Sequence, residues 1–138
     1  MREFEVELKV RFADVDHARI VYYPRFFHYF HAAMEEFFAA RCGTTYARLL
    51  AEERLGFPTV DVRAEFFEPL VYGDEAEVEV WVSRVGRSSA TFEYRLRRAR
   101  DGHLCASATL VQVAMGLVER RAVPVPEALR RTFEQSGE

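Results

Sequence analysis

The chain has 138 residues and 16.0 kDa, enough to bury roughly two-thirds of its unfolded surface, and reads as a single domain over residues 1–138. Hydrophobic residues make up 49% and charged residues 30%, a globular profile, and 19 basic against 22 acidic residues leave a net charge of -3. That balance offers no basic field to nucleic acid or acidic membranes, and no uncharged apolar run approaches the length of a membrane span.

Residues 4–12 alternate, with Phe4, Val6, Leu8, Val10 and Phe12 on one face and Glu5, Glu7, Lys9 and Arg11 on the other, which predicts a half-buried strand. A loop over 13–21 carries Asp14, Asp16, His17 and Arg19. Residues 24–41 then read as a helix roughly 27 Å long, with Pro24 at its first position and Gly43 as its C-terminal cap. Phe26, Phe30, Ala33, Phe37 and Ala40 form a stripe, while Phe27, Tyr29, Met34 and Phe38 spread around the cylinder, the pattern of an embedded helix. A short helix over 44–54 follows, capped by Thr44 or Thr45.

The remainder reads as strands with turn punctuation. Over 59–67, Val60, Val62, Ala64 and Phe66 share one face; over 75–83, Ala76, Val78, Val80 and Val82 point inward. Gly86-Arg87-Ser88 makes a turn, Ala90, Phe92, Tyr94 and Leu96 mark the next inward face, and Asp101-Gly102 signals a hairpin. A long strand is predicted over 104–117, and Pro124 and Pro126 introduce a terminal helix over 127–133. This order gives the α+β class, an antiparallel sheet curled around one long helix.

Cys42 and Cys105 lie far apart without metal-type spacing, which suits a reducing compartment and predicts a cytoplasmic protein. His28 and His31 share a helix side but lack a third ligand, so packed or hydrogen-bonded histidines are expected and no metal. Arg95 and Arg97 alternate with Tyr94 and Leu96 along a strand, which reads as a solvated strand face and not a nucleic-acid surface.

The segment over 11–24 departs from scaffolding, because Asp14 and Asp16 precede a helix start by a few residues in a loop flanked by aromatics. Both aspartates suit turns. Alternatively, a carboxylate near the positive end of a buried helix places an acid/base group beside a site that polarises a carbonyl.

The pattern aromatic-x-Asp14-x-Asp16, Ile20-Val21-Tyr22-Tyr23-Pro24, then an aromatic-rich helix, is continued by Glu65 to Asp74, by Gly86-Arg87-Ser88-Ser89 and by Val125-Pro126. Over about residues 5–130 it resembles the hot-dog-fold acyl-coenzyme A thioesterases of the 4-hydroxybenzoyl-coenzyme A thioesterase type. The resemblance implies a sheet wrapped around one long helix. It also implies that Asp16 is the catalytic carboxylate, acting as nucleophile or general base, and that the Tyr23 backbone N–H holds the thioester oxygen. Arg87, Ser88 and Ser89 match the region that meets the nucleotide and phosphates of coenzyme A, and Arg121 resembles a basic ligand-side position. Acyl-coenzyme A is then the substrate, with no further cofactor, and the working unit is a homodimer or homotetramer with its site between subunits. Two departures bear on acyl preference: His31 stands where many relatives carry Asp or Glu, and His17-Ala18-Arg19 replaces a smaller, often Gly-containing stretch. The competing expectations are a non-catalytic acyl-coenzyme A binding or sensing module and a hot-dog dehydratase or hydratase.

Overall fold

The computed structural model describes residues 4–137. The first strand, β1 (Phe4–Lys9), ends before the alternation does, because the Asp14 carboxylate accepts the Arg11 N–H at 2.9 Å and turns the chain out of the sheet. Phe12, expected on the inner face, instead opens a 3-10 turn (Phe12–Asp14), is 75% exposed and lies edge-on to Tyr72.

The long helix α1 (Arg25–Arg41) begins one residue later than predicted, with Pro24 as its N-cap. Past its end Gly43 takes a φ of 73°, the left-handed conformation that terminates helices and that glycine adopts without a Cβ penalty. Phe26, Tyr29, Phe30, Ala33, Met34, Phe37 and Phe38 are buried. Ala40, expected in that stripe, is exposed in the last turn, and His28, His31, Glu35, Glu36 and Ala39 leave one flank of α1 open to solvent. A second helix, α2 (Tyr46–Glu52), is capped by Thr45, whose hydroxyl accepts the Arg48 N–H at 3.1 Å.

The strands that follow are β2 (Leu55–Gly56), β3 (Thr59–Phe66), β4 (Glu75–Val85), β5 (Ser89–Arg98), β6 (Leu104–Val113), β7 (Met115–Gly116) and β8 (Arg121–Ala122), and α3 (Glu127–Gln135) closes the chain. β1, β4, β5, β6 and β3 form an antiparallel sheet in the order β1-β4-β5-β6-β3, and β2, β7 and β8 form a small second sheet. The expected long strand over 104–117 is therefore two strands. It breaks at Ala114, whose N–H donates to the Ser88 carbonyl at 2.7 Å while its own carbonyl accepts from Val123 at 2.9 Å.

The inward rows of β4 and β5 pack on α1 as expected, with Ala76, Val78, Val80, Ala90, Phe92 and Leu96 fully buried. The aromatic excess of the composition meets here: the Phe37 ring contacts Phe4, Phe38, Phe92 and Phe133, which joins β1, α1, β5 and α3. β3 behaves differently. It is an outer strand of the sheet, and its apolar row stays largely exposed, with Val60 62%, Val62 47% and Phe66 43% exposed. The alternation is real, but α1 packs under β4 and β5, so this chain covers that row only in part, through the Phe66 ring against Phe26 and Phe27.

Candidate active site

The loop between β1 and α1 is a compact hairpin, not an open linker. Asp14 carbonyl accepts the Tyr22 N–H at 2.9 Å, Val15 and Val21 form a β-bridge, and the Asp16 N–H donates to Ile20 carbonyl at 3.0 Å. At its tip, Asp16 Oδ1 accepts the Ala18 N–H at 2.8 Å, which turns the chain, and Arg19 takes a φ of 68°. That left-handed position favours glycine, so Arg19 holds this turn against a Cβ penalty that glycine does not incur.

Two moorings orient this hairpin against the helix. Asp14 is mostly buried and accepts both the Arg11 N–H at 2.9 Å and the Tyr29 hydroxyl at 2.7 Å, so the first turns of α1 hold the loop directly. Burial, and then the bond to Asp14, push the Tyr29 phenol well above its ordinary pKa, so it stays protonated as a donor. On the other side, the Val21 N–H donates to Leu70 carbonyl at 2.9 Å. The neighbouring Pro69 carbonyl is held at 2.7 Å by Arg98, which is only 6% exposed and also grips Asp101 through bonds of 2.8 to 3.0 Å. This bond set holds the Asp101 carboxyl well below the usual carboxylate range, at about 2.

Asp16 itself is exposed, and among the described residues its Oδ2 has no hydrogen-bond partner. At the helix mouth the N–H groups of Arg25, Phe26 and Phe27 donate to the carbonyls of Tyr22, Tyr23 and Pro24 at 2.8 to 3.1 Å. Pro24 has no N–H, so the Tyr23 amide is left as the outermost donor at the positive end of α1, with no acceptor among the described residues. Around it stands an aromatic wall: the Phe66 ring meets Tyr23, Phe26 and Phe27 at centroid distances of 5.3 to 6.2 Å, and Tyr22 lies edge-on to Tyr23 at 5.6 Å. An exposed carboxylate and a backbone donor without an acceptor are thus carried on one hairpin that leads into α1, the donor beside an apolar ledge. That arrangement suits attack on a polarised carbonyl.

The other predicted residues lie elsewhere. The turn over 86–89 closes by a Gly86 N–H to Ser89 carbonyl bond of 2.8 Å, and Arg130 of α3 donates to the Gly86 and Arg87 carbonyls at 2.8 and 3.2 Å. Ser88 carbonyl binds Ala114, Ala114 binds Val123, and Arg121 follows on β8, so Arg87, Ser88, Ser89 and Arg121 gather around Ala114. Phe66, beside Tyr23, pairs with Ala106 on β6. From Ala106 to Ala114 is about 26 Å along an extended chain, so one copy of the chain keeps Asp16 and Tyr23 far from the other four.

His28 and His31 do not converge: His28 contacts Arg25 at 3.2 Å and His31 contacts Glu35 at 2.9 Å. Among the described residues, no group of three or more His, Cys, Asp or Glu side chains is placed to hold a metal ion. Burial pushes the Cys42 thiol up to about 12 and raises that of Cys105, so neither is an activated nucleophile. A hollow of about 650 Å³ on the outer sheet face is not part of this centre: Arg95 covers Trp81 at 4.9 Å, and Glu93 accepts from Ser83 and Thr109.

Residues 10–133 match the profile of the thioesterase-like superfamily. The chain belongs to that family. Among curated relatives, it is 26% identical over 127 residues to 1,4-dihydroxy-2-naphthoyl-CoA hydrolase of Synechocystis sp., covering 92% of this chain and 91% of that one. It is 26% identical over 130 residues to the acyl-CoA thioesterase YbgC of Haemophilus influenzae, covering 94% and 93% of the two chains. A crystal structure of a 1,4-dihydroxy-2-naphthoyl-CoA thioesterase from Synechocystis superposes with a TM-score of 0.86 at 24% identity, over 95% of each chain. The fold is the hot-dog fold of these thioesterases, as the resemblance implied.

Sequence reasoning missed Arg98 as a brace of the hairpin, the partners that Tyr29 and Phe66 find there, and Gln112 as a buried polar side chain on β6. Tyr29 and Phe66 look like core positions in any periodicity. Gln112 did carry a signal, being polar in the otherwise apolar inward row Ala106, Ala108, Leu110, Gln112, Ala114.

Proposed function

We propose that this chain hydrolyses an acyl-coenzyme A thioester to the free acid and coenzyme A. The observation that carries the reading is the pairing of an exposed Asp16 carboxylate with an unpaired Tyr23 N–H at the mouth of α1, on one braced hairpin. The thioester carbonyl accepts the Tyr23 N–H, and the helix terminus stabilises the oxyanion that develops as the carbon becomes tetrahedral. Asp16 either attacks that carbon, giving an anhydride that water then cleaves, or takes a proton from the attacking water. In both routes the thiolate of coenzyme A leaves and takes up a proton. Coenzyme A enters as part of the substrate, and the chemistry asks for no resident cofactor or metal.

The reading includes a second copy of the chain. An outer strand with an uncovered apolar row is a pairing edge, and a two-fold axis beside β3 sets the Phe66 end of one copy against the Thr59 end of the other. That pairing is supported by the separation within one copy, since it brings Asp16 and Tyr23 towards Arg87, Ser88, Ser89 and Arg121 of the second copy. Those residues then meet the phosphates of coenzyme A; a further doubling to a tetramer is compatible with it. Two free cysteines suit a reducing, cytoplasmic setting, and no described helix is long and apolar enough to cross a membrane.

The test is thiol release from a panel of short, long and aromatic acyl-coenzyme A esters, with Asp16→Asn as control. Turnover that falls by about 10²-fold or more in Asp16→Asn is expected. Binding without turnover on any ester identifies a non-catalytic module, and undiminished turnover by Asp16→Asn removes the assignment of Asp16.

A further inference from the structure

Arg98 and Asp74 are the buried charged side chains among the described residues, and Arg98, at the end of β5, is only 6% exposed. Burying a guanidinium costs solvation that its bonds must offset. The β5–β6 turn does not call for that side chain. Gly102, at a φ of 74°, donates its N–H to the Arg98 carbonyl at 2.7 Å, and the Arg98 N–H donates to the His103 carbonyl at 2.9 Å, so the backbone closes the turn by itself. The guanidinium instead reaches across to another segment. Its Nε and Nη2 hold Asp101, Nη2 also lies 3.1 Å from His103 Nδ1 and 3.7 Å from Glu68, and Nη1 donates to the Pro69 carbonyl at 2.7 Å.

Pro69 lies in the connection over 67–74 between β3 and β4. The ends of that connection are pinned independently of Arg98. The Phe67 N–H donates to the Cys105 carbonyl at 2.7 Å, and the Asp74 carboxylate accepts the Val71 N–H at 3.0 Å and Arg100 Nε at 2.8 Å. Between these pins two consecutive carbonyls have different partners: that of Pro69 takes Arg98, and that of Leu70 takes the Val21 N–H of the hairpin that carries Asp16. The Leu70 and Val21 side chains are buried, but apolar packing has no direction. The Arg98 bond is directional, so it fixes how this strap is turned and where the Leu70 carbonyl meets the hairpin.

We propose that Arg98 is a positioning residue for thioester hydrolysis: through the Pro69-Leu70 strap it sets where the hairpin holds Asp16 relative to the Tyr23 amide. The inference deepens the thioesterase reading and rests on it. Arg98 acts through the strap and not on the substrate, so its contribution is to geometry, and a misplacement of about 1 Å costs about 10²-fold in rate. The loss falls on kcat and not on KM. The planar fork of arginine holds a carboxylate and a carbonyl at once, which the point charge of lysine does not.

The test uses Arg98→Met, which fills the site with an apolar chain and leaves Asp101, whose side chain is 30% exposed, to water. Amide hydrogen exchange is expected to quicken about tenfold at Asp16, Val21 and Tyr22, while amides at the centre of β4 exchange as in the wild type. On an acyl-coenzyme A ester that the wild type turns over, kcat is expected to fall about tenfold or more with KM within about twofold. A general role in stability quickens exchange across the sheet or leaves kcat per folded molecule unchanged. Either result overturns the proposal, and so does a loss confined to KM. Arg98→Lys keeps a cation beside Asp101 without the fork; it serves where Arg98→Met does not fold, and the same pattern is expected of it. If the wild type hydrolyses no ester, the thioesterase reading fails by itself. The exchange pattern then decides whether Arg98 holds the Asp16 hairpin, a loosening confined to the hairpin supporting it and an unchanged or uniform pattern refuting it.

Discussion

Replacing Tyr29 with Phe removes one oxygen and tests how the hairpin that carries Asp16 is held to α1. The Tyr29 hydroxyl lies 2.7 Å from Asp14 Oδ2, and the Asp14 side chain is 12% exposed, so water replaces the lost donor poorly. Hydrogen bonds to charged groups contribute about 1.5–3 kcal/mol. The Arg11 N–H remains on the same oxygen, and Arg25 stands 3.9 Å from the other, so a loss near the lower end, about 2 kcal/mol, is expected. Urea unfolding of Tyr29→Phe, Asp14→Ala and the double variant, at one fixed protein concentration, isolates a coupling of about 1.5–2 kcal/mol. The phenol adds a pH signature. Its folded-state pKa is raised from the ordinary value near 10, by burial first and then by Asp14. The contribution is therefore complete below about pH 10 and declines as the pH rises beyond it, because the unfolded chain loses that proton first. Tyr29→Phe loses this part of the alkaline decline. A coupling below about 0.5 kcal/mol, or an alkaline slope identical to wild type, refutes the tether.

Acid stability depends on Asp101, whose folded pKa of about 2 lies below the ordinary value of 3.8 because Arg98 donates to it; the contribution is present above about pH 4 and lost as the pH falls through 2, and Asp101→Asn flattens that part of the stability profile measured by circular dichroism. Phe37→Ala empties a fully buried site at the junction of β1, α1, β5 and α3, and lowers unfolding stability by about 3–5 kcal/mol, read by denaturant titration. Val60→Lys on β3, at a side chain 62% exposed, leaves the chain folded but shifts sedimentation toward the single copy and removes thioester hydrolysis. Arg87→Ala and Arg121→Ala raise KM more than they lower kcat if these side chains hold phosphate; a fall in kcat at constant KM argues against that role.

Much of this protein is written locally. Strand alternation in β4 and β5, the Thr45 cap, the Gly43 terminus and the Asp101-Gly102 turn each depend on a few neighbouring residues, and each is legible along the chain. The hairpin before α1 is legible as a place where two carboxylates meet a helix start, and through family resemblance Asp16 and Tyr23 stand out within it. Phe12 shows the limit: its phase fits the strand, but the Arg11 N–H donates to the nearby Asp14 carboxylate and turns the backbone first.

Tertiary structure decided what periodicity cannot express. Alternation reports that β3 has an apolar row, yet whether that row is covered depends on where α1 crosses the sheet, and the crossing leaves it largely exposed. Tyr29 and Arg98 resemble a core aromatic and a surface charge until distant segments bring Asp14 and the Pro69 carbonyl to them. The sequence by itself determined the long elements, the fold family and the hairpin that carries Asp16, because those follow from local bonding and side-chain period. The long-range packing decided that Asp16 and Arg87 stand at opposite ends of one copy and that Gln112 holds an unpaired acceptor, because those depend on which segments meet.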